Sequence, residues 1–177
     1  MLPPFFSLDR YCRRRTSDPT ALHLFGLVCE RIGHHDLAIQ SISRAIKILE
    51  AIYEETEDTA IERRYAIANT NLARLLLAVG KDSEAIETFE LAYALLAADD
   101  DNTETVVLRA MCQFGSGIAH FHLRDLQGAM PLFESALDIA AGNALVRGQV
   151  TVMLSQTLWA IGTGEFREAA KNQLLEW

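Results

Sequence analysis

Histidines are the first residues in this 177-residue chain that could bind a metal or move a proton. His34 and His35 are adjacent, and His120 and His122 are two positions apart. A helix brings two imidazoles to one face for a metal when they are four residues apart, and neither pair has that spacing. Ordinary packing or surface histidines are therefore the favoured interpretation.

The cysteines and one serine are the candidate nucleophiles. Cys12, Cys29 and Cys112 are odd in number and form no C-x-x-C pair, so neither a disulfide framework nor a zinc knuckle is indicated. Buried structural thiols are favoured at Cys29 and Cys112. Ser116 lies in the run FGSGIAH, but a nucleophile elbow needs a preceding strand, and none is predicted. We therefore expect no enzyme and no cofactor or metal.

Composition limits the partners of this chain. Its net charge is −8, and because residues 1–18 carry four arginines and two aspartates, the remainder sums to −10. An acidic body is a poor partner for a phosphate backbone, so no direct nucleic-acid binding is expected. The acidic run Asp99 to Asp101 lacks the ligand spacing of an EF-hand and is interpreted as a solvated loop.

The N-terminal residues 1–18 show no periodic pattern and are predicted to be an irregular basic tail before a helical domain at 19–177. Arg13, Arg14 and Arg15 are interpreted as solvated terminal charges, with a nucleic-acid contact or nuclear signal as the alternative. No signal peptide or membrane span is predicted. The cytoplasm is the expected compartment, with the nucleus as the alternative.

The stretch from Leu72 to Ala92 indicates how the chain is built. It fits two antiparallel helices joined by a turn at Gly80, where glycine supplies a left-handed helix stop. Asp82 or Ser83 is predicted to cap the second helix. Small residues fall where such a pair must approach closely.

The same spacing of small residues occurs three times, 47 and 44 residues apart, which predicts a repeat architecture. The residues expected at these helix-pair contacts are Gly26, Ala38, Ile42 and Ala45, then Ala73, Ala85, Phe89 and Ala92, then Gly117, Ala129, Phe133 and Ala136. A weaker fourth copy can be laid over Thr157 and Ala169.

Periodicity predicts eight helices. They cover about residues 20–32, 36–55, 59–79, 83–98, 103–123, 126–140, 143–161, and 165 onwards. Asp18 should cap the first, with Pro19 at its first position, and Thr59 with Glu62 should form a capping box on the third. Two glycines inside the fifth helix, at 115 and 117, predict the tightest contact of the array there.

This pattern resembles the tetratricopeptide repeat family. The resemblance implies an all-α, right-handed α-solenoid of antiparallel helix pairs, with about three full repeats and a partial fourth. The family's early Trp and closing Pro are missing, and the spacing exceeds the usual period of about 34 residues, so lengthened helices are expected.

The resemblance also implies a concave groove lined by the first helix of each pair. Carried over position by position, its candidate residues are His23, Leu27, Glu30, Arg31, Ile67, Thr70, Asn71, Arg74, Leu77, Met111, Phe114, Ile118, Phe121 and His122. Only Asn71 matches the five-residue clamp of family members that hold a C-terminal carboxylate. A more apolar partner, such as a helix or extended segment, is therefore implied, although Phe114 and Ile118 fit packing within the array equally well.

Four runs carry a narrower resemblance, at residues 23–58, 64–80, 113–129 and 155–177, including HLFGLVCERIGHHDLAIQ and SQTLWAIGTGEFREAAKNQ. They are similar to the fungal form of the tetratricopeptide scaffold subunit of the Ski (superkiller) complex. That resemblance implies a non-catalytic scaffold holding a DExH-type helicase and WD40-propeller subunits in cytoplasmic, exosome-dependent 3′-to-5′ mRNA decay.

Two further expectations accompany this resemblance. The chain would be an internal fragment of a larger solenoid, and Leu174, Leu175 and Trp177 in the last helix would need a partner. The alternatives are an independent adaptor that binds a peptide or helix in its groove, and self-association through exposed terminal helices.

Overall fold

The computed structural model describes residues 17–96, 103–140 and 142–175. Within these ranges all the regular structure is helical. The eight helices are α1 Pro19–Arg31, α2 His35–Thr56, α3 Thr59–Ala78, α4 Asp82–Leu95, α5 Thr103–His122, α6 Leu126–Ile139, α7 Ala144–Ile161 and α8 Gly164–Leu175. Most of the predicted tail and the acidic run at 99–101 lie outside the described residues.

Consecutive helices pack as pairs, and each pair packs on the next. Contacts join α1 with α2, α3 with α4, α5 with α6 and α7 with α8, and the odd-numbered helices α3, α5 and α7 also touch in sequence. The predicted all-α solenoid of helix pairs is confirmed. The extra length lies in regular helix, since α2 has 22 residues and α3 and α5 have 20 each.

The start of α1 and the end of α3 follow the sequence prediction. The Asp18 carboxylate accepts hydrogen bonds from the backbone N–H groups of Thr20 and Ala21, and Pro19 occupies the first helical turn. Gly80 has a φ of 76°, which is the left-handed conformation expected of a glycine helix stop. Short polar and glycine signals therefore located these two termini correctly.

The capping box predicted for α3 is wrong. Asp58 caps the helix instead, with its carboxylate accepting from the backbone N–H of Ala60 at 2.8 Å. Thr59 is already helical, and Glu62 accepts a hydrogen bond from the hydroxyl of Tyr53 at 2.9 Å. The tyrosine at the end of α2 reaches this carboxylate across the tight α2–α3 corner, so Glu62 does not turn back to the helix terminus.

The cap predicted for α4 is also wrong. Lys81 is the N-cap and makes no side-chain capping bond, while its backbone N–H donates to the carbonyl of Leu76. Asp82 and Ser83 are therefore already inside the first turn of α4. The Asp82 carboxylate is engaged elsewhere, because its Oδ1 lies 3.0 Å from Nδ1 of His122 at the end of α5.

The residues predicted at helix-pair contacts, small and large, are all buried. These are Gly26, Ala38, Ile42, Ala45, Ala73, Ala85, Phe89, Ala92, Gly117, Ala129, Phe133 and Ala136. All of them except Gly26, Ala45 and Gly117 are members of the three successive hydrophobic cores. The interior therefore alternates methyl groups or bare backbone with large side chains from the facing helix.

Two glycines of α5 receive aromatic rings from the helices on either side. A Cβ on Gly117 would lie 2.6 Å from Cε1 of Phe133 in α6, and a Cβ on Gly115 would overlap the ring of Phe89 in α4. The close approach at α5 thus involves rings seated against backbone. This geometry explains why a helix interior keeps two residues of poor helix propensity.

The fourth repeat departs from the predicted register by one residue. Thr157 is buried, as its position in the weak fourth copy implies, but Ala169 is exposed and Ala170 is buried. Phe166 packs against the same core one turn earlier. In α8 the large residue precedes the small one, which reverses the order seen in α4 and α6 and accounts for the misplaced alanine.

Candidate functional site

The first helices of repeats one and two face each other through polar side chains. In α1 and α3 these side chains form three contacts, here called the polar ladder. Its rungs are Thr20 with Arg64, His23 with Asn71, and Glu30 with Arg74. Four of the six residues were expected in the groove, and the structure pairs them with each other.

His23 is the residue of the ladder whose pKa is shifted by its surroundings. Its Nε2 lies 3.0 Å from the side-chain nitrogen of Asn71, which can only donate, so the ring accepts and is neutral. Burial, and secondly the nearby positive charge of Arg64, lower the pKa of His23. This histidine is held as a neutral structural acceptor between two helices.

The charged rung pairs Arg74 of α3 with Glu30 of α1. The two guanidinium nitrogens of Arg74 donate to the two carboxylate oxygens of Glu30 at 2.6 and 2.7 Å. Asn71 is likewise bonded to His23, so the one residue that matched the carboxylate clamp already has a partner. The ladder uses internally the donors that could hold an anionic peptide end.

Thr70, predicted to line the groove, lies inside the α3–α5 interface and is only 3% exposed. Its hydroxyl donates to the carbonyl of Ala66 at 2.9 Å and lies 3.5 Å from Sγ of Cys112. Helices α3 and α5 are in contact at this level, so the Thr70 side chain meets the neighbouring helix. Thr70 therefore presents no surface to a ligand.

The aromatic groove candidates of α5 contribute to packing. Phe114, Ile118 and Phe121 are half-buried and pack against the last core. The ring centroids of Phe114 and Phe133 are 6.0 Å apart at 56°, a tilted aromatic contact. Of the two interpretations left open for Phe114 and Ile118, these contacts favour packing. Leu27 similarly packs against the first core.

The candidate nucleophiles that the structure describes, Cys29, Cys112 and Ser116, are inaccessible, and Cys12 lies outside the described residues. Cys29 and Cys112 are buried, and burial raises the pKa of the Cys112 thiol to about 11. Ser116 is 4% exposed in the middle of α5, with no turn around it. A thiol with a raised pKa carries little thiolate at neutral pH and is a poor nucleophile. Within the described ranges, no three His, Cys, Asp or Glu side chains come together as metal ligands.

The sequence prediction missed the exposed apolar residues of α7. Leu145, Val152 and Trp159 are 74%, 46% and 60% exposed, seven residues apart on one helix face. The guanidinium carbon of Arg167 lies 5.4 Å from the Trp159 ring centroid, a cation–π contact. The seven-residue spacing is present in the sequence, but spacing alone does not show which face of α7 is buried.

Comparison with known proteins gives two relatives along nearly the whole chain. It is 29% identical over 174 residues to Superkiller protein 3 of Schizosaccharomyces pombe. It is 24% identical over 173 residues to Superkiller protein 3 of Saccharomyces cerevisiae. Each alignment covers 97% of this chain and 12% of the relative. No protein-family profile matches the chain.

Solved structures share the fold. A crystal structure of MamA superposes with a TM-score of 0.74 at 16% identity, covering 97% of this chain and 85% of that one. A variant of the Podospora anserina putative kinesin light chain, with nearly identical TPR-like repeats, gives 0.74 at 18%, covering 97% and 82%. The chain therefore has a tetratricopeptide-type solenoid fold and resembles Superkiller protein 3. No described helix has the length and apolar character that crossing a bilayer requires.

Proposed function

We propose that this tetratricopeptide-type solenoid is a non-catalytic scaffold segment of the Ski complex, acting in cytoplasmic exosome-dependent 3′-to-5′ mRNA decay. The observation that carries the proposal is the alignment of 97% of the chain with Superkiller protein 3 of two fungi. Because the chain spans 12% of each relative, its role is to contribute surface to a larger subunit.

The side chains support binding rather than catalysis. The thiol of Cys112 has a pKa raised to about 11 by burial, and Ser116 lies inside a helix. The polar groups of α1 and α3 bond to each other, as in the pair His23 and Asn71. The described surface also exposes apolar area such as Trp159, which suits protein contacts.

The partners proposed through the resemblance are a DExH-type helicase and WD40-propeller subunits. Direct binding to RNA is not part of the proposal, because a chain with a net charge of −8 repels a phosphate backbone. RNA would instead reach the assembly through the helicase. This division of roles predicts that the isolated chain has no affinity for single-stranded RNA at physiological salt.

A second candidate function is an independent adaptor that binds a peptide or helix. The exposed apolar face of α7 favours it, since the large ring of Trp159 is 60% exposed. A chaperone-tail receptor is not proposed, because Asn71 is the sole clamp match and is bonded to His23. Self-association is a third candidate, since Leu174 and Leu175 of α8 are 54% and 74% exposed.

Affinity purification separates these candidates. The tagged chain would be used as bait in a fungal lysate, with the tag alone as control, and bound proteins identified by mass spectrometry. Recovery of a helicase together with WD40 proteins supports the scaffold, whereas assorted proteins sharing one short motif support the adaptor. Light scattering on the purified chain tests self-association directly, because a dimer has twice the monomer mass.

A further inference from the structure

Five exposed residues share one face of α7, and we call this face the α7 seam. Its members are Leu145, Gln149, Val152, Gln156 and Trp159. Their spacing alternates between four and three residues, which is the repeat that keeps one side of a helix facing a partner helix. At 1.5 Å per residue the seam is about 21 Å long. This is the length of two heptads.

The seam is the uncovered side of a helix whose buried side is apolar, and three of the five seam residues are apolar as well. The opposite side of α7 places Val150, Leu154 and Leu158 in the last core. A surface helix usually carries polar residues opposite its buried stripe. Here Val152 and Trp159 take those positions instead. A second packing partner explains this pattern, because it would remove the seam from water.

The charge around the seam selects the kind of partner. From Ile139 to Gly164 the chain contains no Asp or Glu, although the chain as a whole is acidic. Arg167 stacks on the ring of Trp159 at one end of the seam and is exposed. The described carboxylates form no salt bridge with Arg167. A carboxylate on the partner would complete this end.

A second copy of the chain does not fit these requirements. If two α7 seams packed antiparallel, each Arg167 would face the Leu145 end of the other copy's segment 139–164, which contains no carboxylate, and if they packed parallel, the two Arg167 guanidinium groups would face each other. The glutamines at 149 and 156 would also meet in the middle of an otherwise apolar contact. Polar residues at such positions favour particular partners at a cost in stability. A heterologous helix is the better match.

We propose that the α7 seam binds an amphipathic helix of a partner protein, with apolar residues at heptad spacing and an Asp or Glu placed to pair with Arg167. The proposal rests on the scaffold function and names the partner chemistry for one surface. It does not involve the polar ladder or the candidate groove residues of α1 and α3. The bound helix would cover Trp159 and bring a carboxylate to the guanidinium stacked on it.

The test uses the full chain with Trp177→Phe. Because the chain has two tryptophans, this change leaves Trp159 as the only one. The probe is a three-heptad amphipathic peptide with leucine at its core positions and glutamate beside them. A second peptide carries lysine in place of each glutamate. We expect the glutamate peptide to shift the Trp159 emission to shorter wavelength and to bind at least ~10-fold more tightly than the lysine peptide.

Variants locate the site and its charge preference. Val152→Glu should weaken the glutamate peptide at least ~10-fold, whereas Leu91→Glu, a matched change at an exposed leucine of α4, should leave it unchanged. Arg167→Glu should reverse the preference towards the lysine peptide. Circular dichroism melts would establish that each variant is folded, and the charge reversal keeps the test informative if Val152→Glu unfolds.

Five results would overturn the proposal. Equal binding of both peptides would rule out a partner carboxylate at Arg167. Undiminished binding by Val152→Glu would rule out the seam as the binding site. If neither peptide binds, a helical partner is ruled out. A dimer that Val152→Glu dissociates assigns the seam to a second copy. If a Val152→Glu bait still recovers the helicase and WD40 proteins, the scaffold function stands while the seam inference fails.

Discussion

The side-chain nitrogen of Asn71 lies 3.0 Å from Nε2 of His23, and this hydrogen bond joins α3 to α1 across the first two repeats. It holds a neutral imidazole in a half-buried place beside a permanent positive charge, Arg64. Protonation of the ring would oppose both the burial and that charge, and would remove the acceptor that Asn71 uses. The stability of the N-terminal repeats should therefore depend on pH.

We predict that the chain loses stability as the pH falls below about 6.5, the ordinary histidine pKa. The folded-state pKa of His23 is lowered, so in this window the unfolded chain binds the proton and the folded chain does not. Thermal melts between pH 7.5 and 5 should show the loss. His23→Gln should reduce the slope, and an unchanged slope in that variant would contradict the assignment.

Replacing Ala85 by Leu should lower the free energy of unfolding by about 1–3 kcal/mol. Ala85 is fully buried where α4 meets its neighbours, so a larger side chain must displace a helix. Ala38→Leu and Ala129→Leu should behave alike at the equivalent buried positions. Urea denaturation measures the effect, and the exposed Ala94→Leu is the matched control. Losses no greater than the control's would show that these are not tight contacts.

Gly115→Ala should destabilise the protein although alanine is the better helix former by about 1 kcal/mol. The added methyl overlaps the ring of Phe89, which has no room to retreat because it is 3% exposed. Phe89→Leu in the same chain should recover part of the loss. A double-mutant cycle on unfolding free energies measures this coupling. Simple additivity of the two changes would show that ring and methyl do not collide.

The ion pair between Glu30 and Arg74 should have a coupling free energy of about 0.5–1 kcal/mol, because both ends are hydrogen-bonded but Arg74 is partly exposed. A cycle with Glu30→Gln and Arg74→Gln, followed by urea denaturation, would measure it. Raising the salt concentration should reduce the coupling. A value that is independent of salt would indicate that the charges contribute little and that packing of the side chains dominates.

Small residues made the helix pairs predictable from the sequence. The twelve-residue step from Ala73 to Ala85 recurs from Gly26 to Ala38. Such steps depend only on how closely the backbones of two paired helices must approach each other. A pattern repeated in phase reports the fold because every copy must satisfy the same steric condition. The order of the helix pairs was therefore predictable from the sequence alone.

Side-chain pairing was not predictable in the same way. Glu62 has the right spacing for a capping box, yet the hydroxyl of Tyr53 binds it from the preceding helix. Asn71 has the right position for a ligand clamp, yet its side chain is bonded to His23, which is 48 residues away in the sequence. Both outcomes depend on helices that meet only after folding. In the fourth repeat, Ala169 and its neighbour Ala170 are indistinguishable to a spacing rule, and only the packing of Phe166 separates them.

The solenoid contains two kinds of contact between helices. In the polar ladder, side chains of α1 and α3 form hydrogen bonds, and at α5 phenylalanine rings pack against glycines. Water can replace the hydrogen bond between His23 and Asn71 at modest cost, because each group finds a new partner when the contact opens. Nothing in solution replaces the ring of Phe89 against Gly115. A bending load on the solenoid should therefore separate the side chains of the polar ladder before it separates the ring of Phe89 from Gly115.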